Sequence, residues 1–331
     1  FINHYPLDNS LNNWYEALDR IKTRNIQFAM CGHGHQNKLY DWEGITGVMG
    51  RSNLRAKDPV GGYNLVTITP GKAVYRVRKP LTGTEEPWLE VPLKRYVPSG
   101  ENYPRPDFSV NRENGNKVVW EYEDSADLGA GFARYKKSVI TANTQGKLYA
   151  LDYRTGKKIW ESTTGGKIYS TPALWKNTVI VGSSDHYIYG FSAKDGSLKW
   201  KTETGKAVLG SPAMADGVAF IGGSDGTFRA IDAETGRVKW TFDGVKGYVS
   251  SQPLLYDKMV VFGSWNNGFY ALDQATGRLI WEWNNGHANR MFSAGACYPV
   301  AVNNRIFVVA PDRFMTALDA RDGRVIWREK R

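Results

Sequence analysis

Tryptophan recurs in this chain at a nearly fixed interval. Trp160, Trp200, Trp240, Trp281 and Trp327 are 40, 40, 41 and 46 residues apart, and Trp120 lies 40 residues before the first of them. Five segments align on them without gaps: Leu148–Trp160, Ile188–Trp200, Phe228–Trp240, Phe269–Trp281 and Met315–Trp327. A second marker keeps the same register. Pro172, Pro212, Pro253 and Pro299 each stand 28 residues before a tryptophan, and Phe132 takes that place in the first copy. All length variation therefore falls between one tryptophan and the next proline, in gaps of 12, 12, 13 and 18 residues. A period of this size means one supersecondary unit, repeated, with neighbouring copies burying each other's apolar faces.

Each unit reads as four strands. The first begins near the proline. The second is a continuous apolar run, as in Thr178–Val181, Val218–Ile221, Met259–Phe262 and Ile306–Val309. Such runs lack strict alternation and fit strands buried on both faces. The third is of the Leu-Tyr-Ala-Leu-Asp type and the fourth ends at the tryptophan. A Thr-Gly or Asp-Gly pair between them supplies the positive φ of a tight turn. Aromatic residues make up 13% of the chain and glycine counts 35, which suits short strands and tight turns and excludes a helical solenoid. Four strands in roughly 40 residues make a propeller blade.

The repeat resembles that of the PQQ-like (quinoprotein-type) β-propellers. Their A-x-D-x-x-T-G-x-x-x-W hallmark stands at Ala150–Trp160, which includes Leu151, at Ala230–Trp240 and at Ala271–Trp281. The resemblance covers residues 118–331. It specifies a fold rather than an activity, because the family includes enzymes, assembly factors and scaffolds. Five blades are visible where the family has about seven or eight. The propeller is therefore expected to be incomplete, with Trp120 as a lone outer strand. A smaller closed ring using Trp120 as its closing strand is the alternative. The first residue is Phe1, so the chain is expected to start inside something larger or to be a processed product.

Residues 1–40 read strand, helix, strand. Phe1-Ile2-Asn3 is short and largely apolar, Ser10 can cap a helix carrying Trp14, Leu18 and Ile21, and Ile26–Met30 is a second strand. Chemistry in α/β units sits at the carboxyl ends of strands. His4 falls at the first such end and Gly32-His33-Gly34-His35 at the second, so three of the chain's five histidines converge on one sheet edge. Two histidines separated by one glycine can address neighbouring cations, and imidazole suits Zn, Mn, Fe or Ni.

This pattern, with Ile45–Gly50 as a following strand and a hairpin of Tyr63–Ile68 and Ala73–Val77 turning at Pro70-Gly71, resembles the C-terminal part of the calcineurin-like metallophosphoesterases. The resemblance implies that His4 and His33 ligate one metal and His35 the other, in a two-metal centre of Mn, Fe or Zn acting on a phosphate ester. The family's D-x-H, G-D and G-N-H motifs do not occur here. A two-metal site needs its cations held about 3.5–4 Å apart. Three histidines without bridging carboxylates cannot do this, so this chain is expected to bind metal weakly or not at all and to leave phosphate esters intact. The complete protein is expected to be a metal-dependent phosphoesterase whose propeller recruits substrate or partner. The competing reading is a non-enzymatic scaffold for a protein or glycan, with a relict N-terminus.

PQQ-dependent alcohol dehydrogenases are a further resemblance, set aside because Cys31 and Cys297 are not adjacent, whereas those enzymes commonly use neighbouring cysteines beside a Trp platform and a calcium site. Trp175 and Trp265 could lie near the axis, but a quinone cofactor is not expected. In a propeller, the loops joining blades share one face with the turns between second and third strands. That face would carry Asp185, His186, Trp265, Asn266, His287, Asn289 and Arg290, a polar surface with an aromatic floor. Residues 81–117 hold Pro80's neighbours Pro87, Pro92, Pro98, Pro104 and Pro106 and read as an extended Pro-rich linker. Within it, Tyr103–Phe108 would pin to the propeller surface or run free. The net charge of +10 is spread without a block of five like charges, so a nucleic-acid partner is not expected. No apolar run is long enough to span a bilayer. The repeat's resemblance implies a periplasmic or secreted bacterial protein. The domains are thus 1–80, 81–117 and 118–331: the C-terminal part of an α/β metallophosphoesterase, a linker, and a mainly β, PQQ-like propeller of about five visible blades.

Overall fold

A computed structural model of the chain describes residues 1–53, 60–115, 117–287 and 289–330. Contacts divide it into two units between Gly115 and Lys117.

The first unit opens with helix α1 (Trp14–Lys22), which buries Leu18 and Ile21. Its N-cap is Asn13 rather than Ser10, whose backbone N–H instead donates to Asp8. Strands β1 (Ala29–Cys31), β2 (Lys38–Trp42) and β3 (Ile45–Met49) form one sheet, with β3 central, parallel to β1 and antiparallel to β2. The expected first strand shrinks to a single parallel bridge between Ile2 and Met30. Ile26 lies in a turn closed on Arg24 and sends its side chain into the core. Strand β2 has no counterpart in the sequence reading. It is bound to β3 by the Glu43-Gly44 turn, where both residues take positive φ (56° and 86°) as a two-residue hairpin requires.

A second sheet is the meander β4 (Tyr63–Ile68), β5 (Lys72–Lys79) and β6 (Gly83–Pro92). The hairpin turning at Pro70-Gly71 is present. Strand β6 lies inside the stretch read as an extended linker. Val91 pairs with Ala73 and Leu89 with Tyr75, so its apolar residues complete a buried cluster. Its prolines are tolerated because β6 is an edge strand, with a register shift where Pro87 meets Arg76. Beyond it, the Tyr103–Phe108 strap is tied to the first unit. Arg105 donates to Glu43 at 2.5 and 3.0 Å and to Asp19 at 2.6 Å, and Phe108 stacks on Tyr15. A short helix α2 (Ser109–Gly115) follows.

The second unit contains five four-stranded antiparallel sheets. Blade one runs through Ala133–Tyr135, Ser138–Ala142, Lys147–Asp152 and Lys158–Thr163, and blade two through Ala173–Trp175, Thr178–Gly182, Tyr187–Ser192 and Leu198–Glu203. Blade three uses Ala213–Ala215, Val218–Gly222, Phe228–Asp232 and Val238–Phe242. Blade four uses Leu254–Tyr256, Met259–Gly263, Gly268–Asp273 and Leu279–Asn284, and blade five Val300–Val302, Arg305–Val309, Phe314–Asp319 and Val325–Lys330. Second and third strands form the core: Val179–Val181, Val260–Phe262 and Phe269–Leu272 have no accessible surface.

The repeat's conserved spacing has a mechanical meaning. Each tryptophan pairs across the sheet with the small residue of its own third strand: Trp160 with Ala150, Trp200 with Gly190, Trp240 with Ala230, Trp281 with Ala271 and Trp327 with Ala317. A register shift beside each pair marks a β-bulge. The indole then reaches the next blade. Trp160, Trp200, Trp240 and Trp281 donate their N–H to the carbonyls of Ala193, Ala233, Gln274 and Ala320 at 2.9–3.2 Å. Their six-membered rings lie over Gly196, Gly236, Gly277 and Gly323, which hold φ of 72–79° in the turns before the fourth strands.

Trp120 makes the same clasp on blade one, donating to Tyr153 at 2.8 Å and covering Gly156. It is not in a strand, contrary to the outer-strand expectation, because no third strand lies beside it to ladder with. Nor does it close a five-blade ring. The face that blade four buries against blade five corresponds in blade five to exposed Val300 and Val302.

Candidate functional site

The propeller residues singled out from sequence fall into two groups. Trp265, Asn266 and Asn267 form the turn between the second and third strands of blade four, and His287, Asn289 and Arg290 lie on the loop from blade four to blade five. The structure joins these two segments. The Asn267 side-chain amide donates to the His287 carbonyl, its backbone N–H donates to Ser293 Oγ at 2.9 Å, and Ser293 Oγ donates to Asn267 Oδ1 at 2.8 Å. Asn289 caps the short 3₁₀ turn Arg290–Phe292 by accepting from the Met291 N–H at 3.0 Å. His287 Nδ1 accepts from the Asn289 N–H at 3.2 Å, and its ring lies 4.3 Å from that of Phe292. These local bonds hold the described residues of this loop and the Trp265–Asn267 turn together as one platform.

Trp265 is half-buried. Its indole N–H donates to Ser250 Oγ at 2.7 Å and its ring stacks on Tyr248 at 5.7 Å and 13°. Asn266, His287, Asn289, Arg290 and Met291 are exposed on the two joined segments. Tyr248, Ser250 and Met291 did not emerge from sequence reading. The only cue to Tyr248 was its place after Gly247 in the loop entering blade four.

Asp185 and His186 occupy the equivalent turn of blade two, and among the described residues no hydrogen bond, ion pair or ring contact joins them to this platform. Asp185 is absorbed by its own scaffold, accepting from the Gly165 N–H and the Tyr189 hydroxyl, both at 2.7 Å. His186 is exposed, with φ of 74°, and its carbonyl accepts from Thr204. Behind the platform, Arg328 and Asn285 converge on the buried Asp312 carboxylate at 2.7 and 3.0 Å, anchoring the loop to blade five.

In the first unit, His4 and His33 come together with ring centroids 5.4 Å apart, and the Tyr5 ring lies 4.1 Å from that of His33, tilted by 40°. His35 contributes no ring to this cluster. His33 and His35 both hold positive φ, 66° and 56°, a conformation that histidine adopts more readily than most side chains. Among the described residues, no three His, Cys, Asp or Glu side chains group as metal ligands, so these residues by themselves do not fit a two-metal centre.

Cys31 is buried in the first unit and Cys297 in the second, and burial pushes both thiols up to about 11, with Asp8 and Asp312 adding to it respectively. Trp175 is the last residue of blade two's first strand, against Gly217 of blade three, and Trp265 is held by Ser250.

Comparison with known proteins agrees with the repeat. The family described as outer membrane protein assembly factor BamB matches residues 109–207, 177–290 and 257–331. The solved structure of BamB from Moraxella catarrhalis is 21% identical over 64% of this chain and 77% of that one, with a TM-score of 0.44. A quinohemoprotein alcohol dehydrogenase from Pseudomonas putida is 19% identical over 62% of this chain, with a TM-score of 0.52, and the match spans 42% of that enzyme. The computationally designed Ika8 protein is 14% identical over 92% of this chain and 90% of its own, with a TM-score of 0.53. At such identities the last two structures speak to fold alone. No curated protein matches the chain, and the matching family model begins at residue 109, outside residues 1–80. With residues 109–331 under one family model and five four-stranded sheets built on its repeat, the chain belongs to the BamB family of outer membrane protein assembly factors.

Proposed function

We propose that this chain is a non-enzymatic binding module whose propeller face, between blades four and five, docks a protein partner. The observation that carries this reading is the platform in which Trp265 stacks on Tyr248 and the neighbouring Asn267 is bonded to the loop that exposes Arg290 and Met291 (61% accessible). Trp, Tyr, Met and Arg are the residue types that dominate protein interfaces, and a rigid aromatic pair loses little entropy on binding. The family's description, an outer membrane protein assembly factor, is a role of this kind. A glycan is the other class such an aromatic-polar surface suits. A periplasmic or secreted location goes with the reading, and no described helix is long and apolar enough to cross a membrane.

The test is photo-crosslinking in cells. A crosslinker in place of Asn266 is expected to trap one discrete partner, and the same group in place of Lys258, on a turn at the opposite end of blade four, is not. Arg290→Glu should lower the yield about fivefold or more. Equal adducts from both positions would sink the proposal, and selective binding on a glycan array without any protein adduct would transfer it to a glycan.

A second reading rests on the His4–His33 juxtaposition and the left-handed backbone at His33 and His35. Here these histidines are the remnant of a two-metal phosphoesterase centre using Mn, Fe or Zn, with the remaining ligands supplied by the complete protein and a phosphate ester as its substrate. The 331-residue chain is expected to leave a generic phosphodiester intact with or without added Mn²⁺. Chelator-sensitive cleavage, with near two cations per chain, would overturn that expectation and favour the enzyme.

A further inference from the structure

A cavity of 270 Å³ lies between blades three and four, at the end of the strands opposite the Trp265 platform. Blade three lines it with Ala215 at the end of its first strand, Asp216 in the following turn, and Val218 and Phe220 on the second strand. Blade four lines it with Lys258, in the turn between its first two strands, and with Ala275, in the turn before its fourth.

The repeat shows what is missing there. The last residue of the first strand is Tyr135 in blade one, Trp175 in blade two, Ala215 in blade three and Tyr256 in blade four. The three aromatic residues each reach the next blade. Tyr135 packs against the cluster shared by blades one and two. A Cβ on Gly217 of blade three would lie 3.4 Å from the Trp175 ring. The Tyr256 hydroxyl accepts from the Asn304 N–H of blade five at 2.9 Å. Gly217 and Asn304 stand where Lys258 stands in blade four, one residue before the second strand. Ala215 and Lys258 are thus the two positions that a ring joins in the neighbouring interfaces, and both line the cavity.

A second departure falls on the same interface. Lys176, the residue after Trp175, lies 5.9 Å from that ring centroid and pairs with Glu234 of blade three at 2.7 Å. Lys136, after Tyr135, likewise lies 5.2 Å from its ring. The residues at the positions of Lys176 and Glu234 in the next interface are Asp216 and Ala275. Neither the cation over the ring nor the ion pair across the blades is present there. The interface between blades three and four therefore lacks both the ring and the bridge beside it.

We infer that this cavity binds a free aromatic molecule of one or two fused rings, the size of phenol or indole. Space left where a large side chain is missing can be refilled by a molecule of that side chain's shape. The volume is just below the range of about 300–1,000 Å³ typical of drug-sized sites, which suits a molecule this small. The ring lies on Ala215 and Val218 and extends toward Lys258, as Trp175 extends toward Gly217 one interface earlier.

The experiment uses the full chain with methyl-labelled alanine. The Ala215 and Ala275 signals are identified by their loss in Ala215→Trp and Ala275→Ser. The probes are phenol, indole and cyclohexanol, the saturated counterpart of phenol. Phenol or indole should bind saturably with a Kd below about 5 mM and shift both methyl signals. Cyclohexanol should bind about threefold more weakly or less. Ala215→Trp restores the residue of blade two and should weaken binding at least about tenfold, with a melting temperature equal to the parent's or higher. Asp216→Lys with Ala275→Glu restores the bridge, leaves Ala215 in place and should weaken binding about threefold. The methyl shifts in the unaltered protein locate the site whether or not either variant folds. No saturable binding of phenol or indole up to about 10 mM overturns the inference, as does binding that leaves both methyl signals unmoved. Equal binding of cyclohexanol, or undiminished binding to a folded Ala215→Trp variant, overturns it as well.

Discussion

At Gly236 a side chain has no room. Its φ is 73° and an added Cβ would lie 2.6 Å from the Trp200 ring, which cannot retreat because its N–H is bonded to the Ala233 carbonyl. Gly236→Ala combines left-handed strain with a clash and should destabilise the second unit by about 2–3 kcal/mol. Gly71→Ala is the contrasting case. Nothing lies within 4 Å of its added Cβ and its φ is not in the left-handed region, so stability should change by less than about 1 kcal/mol. Urea midpoints of the two variants check the pair. Glycine in the Thr-Gly step was legible as a turn residue. That a tryptophan 36 residues earlier covers it was not, because nothing local encodes a contact between blades.

Among the elements, the second and third strands of the blades were the most legible, since a continuous apolar run fits little else. Strands β2 and β6 were not. In β2 only Trp42 is buried, and in β6 prolines and glutamates mask an edge strand whose apolar residues are completed by β5. The strap is the clearest case of a segment whose partner lies elsewhere. Arg105 bonds Glu43 and Asp19 across 62 and 86 residues. Burial pushes the Glu43 carboxyl up, but hydrogen bonds from Arg105 and Lys22 outweigh it and hold the group below its ordinary value. Arg105→Ala leaves Glu43 with Lys22 alone and should cost about 1–2 kcal/mol in the first unit. Hydrogen exchange should then speed up across residues 99–108 and stay unchanged in the blades. Uniform exchange in variant and parent would refute the strap's attachment.

Across the whole propeller, an acidic cap recurs at the turn before the fourth strand. The Asp152 carboxylate accepts from the Arg154 and Thr155 backbone N–H groups, and Asp232 and Asp273 accept from the side chains and N–H groups of Thr235 and Thr276. In blade two Ser197 donates to Asp195, lowering it to about 2, and in blade five Arg321 holds Asp319 far below the carboxylate range. Hydrogen bonds likewise lower Asp152, Asp232 and Asp273. Groups depressed on folding contribute stability above their unfolded pKa of about 4, and that contribution is lost as pH falls toward the folded values. The melting temperature of the blades should therefore hold steady from about pH 7 to 5 and fall progressively below about pH 4. The decline should be shallower in an Asp195→Asn, Asp319→Asn double variant. A melting temperature independent of pH down to about 3 would show that these caps titrate alike in folded and unfolded chains.

The sequence by itself determined the repeat, the four strands of each blade, the turns between them and the family, because these depend on periods of one, two and about 40 residues carried along the chain. It also brought His4 and His33 to one sheet edge. Tertiary structure alone decided that Asn267 and Ser293 lock two loops into one platform while Asp185 serves its own turn, that His35 stands outside the ring cluster, and that Trp42 is buried with its N–H unbonded. Each of these depends on which distant side chain fills a hydrogen-bonding position or a space. That choice is made by packing between elements, and local pattern carries no record of it.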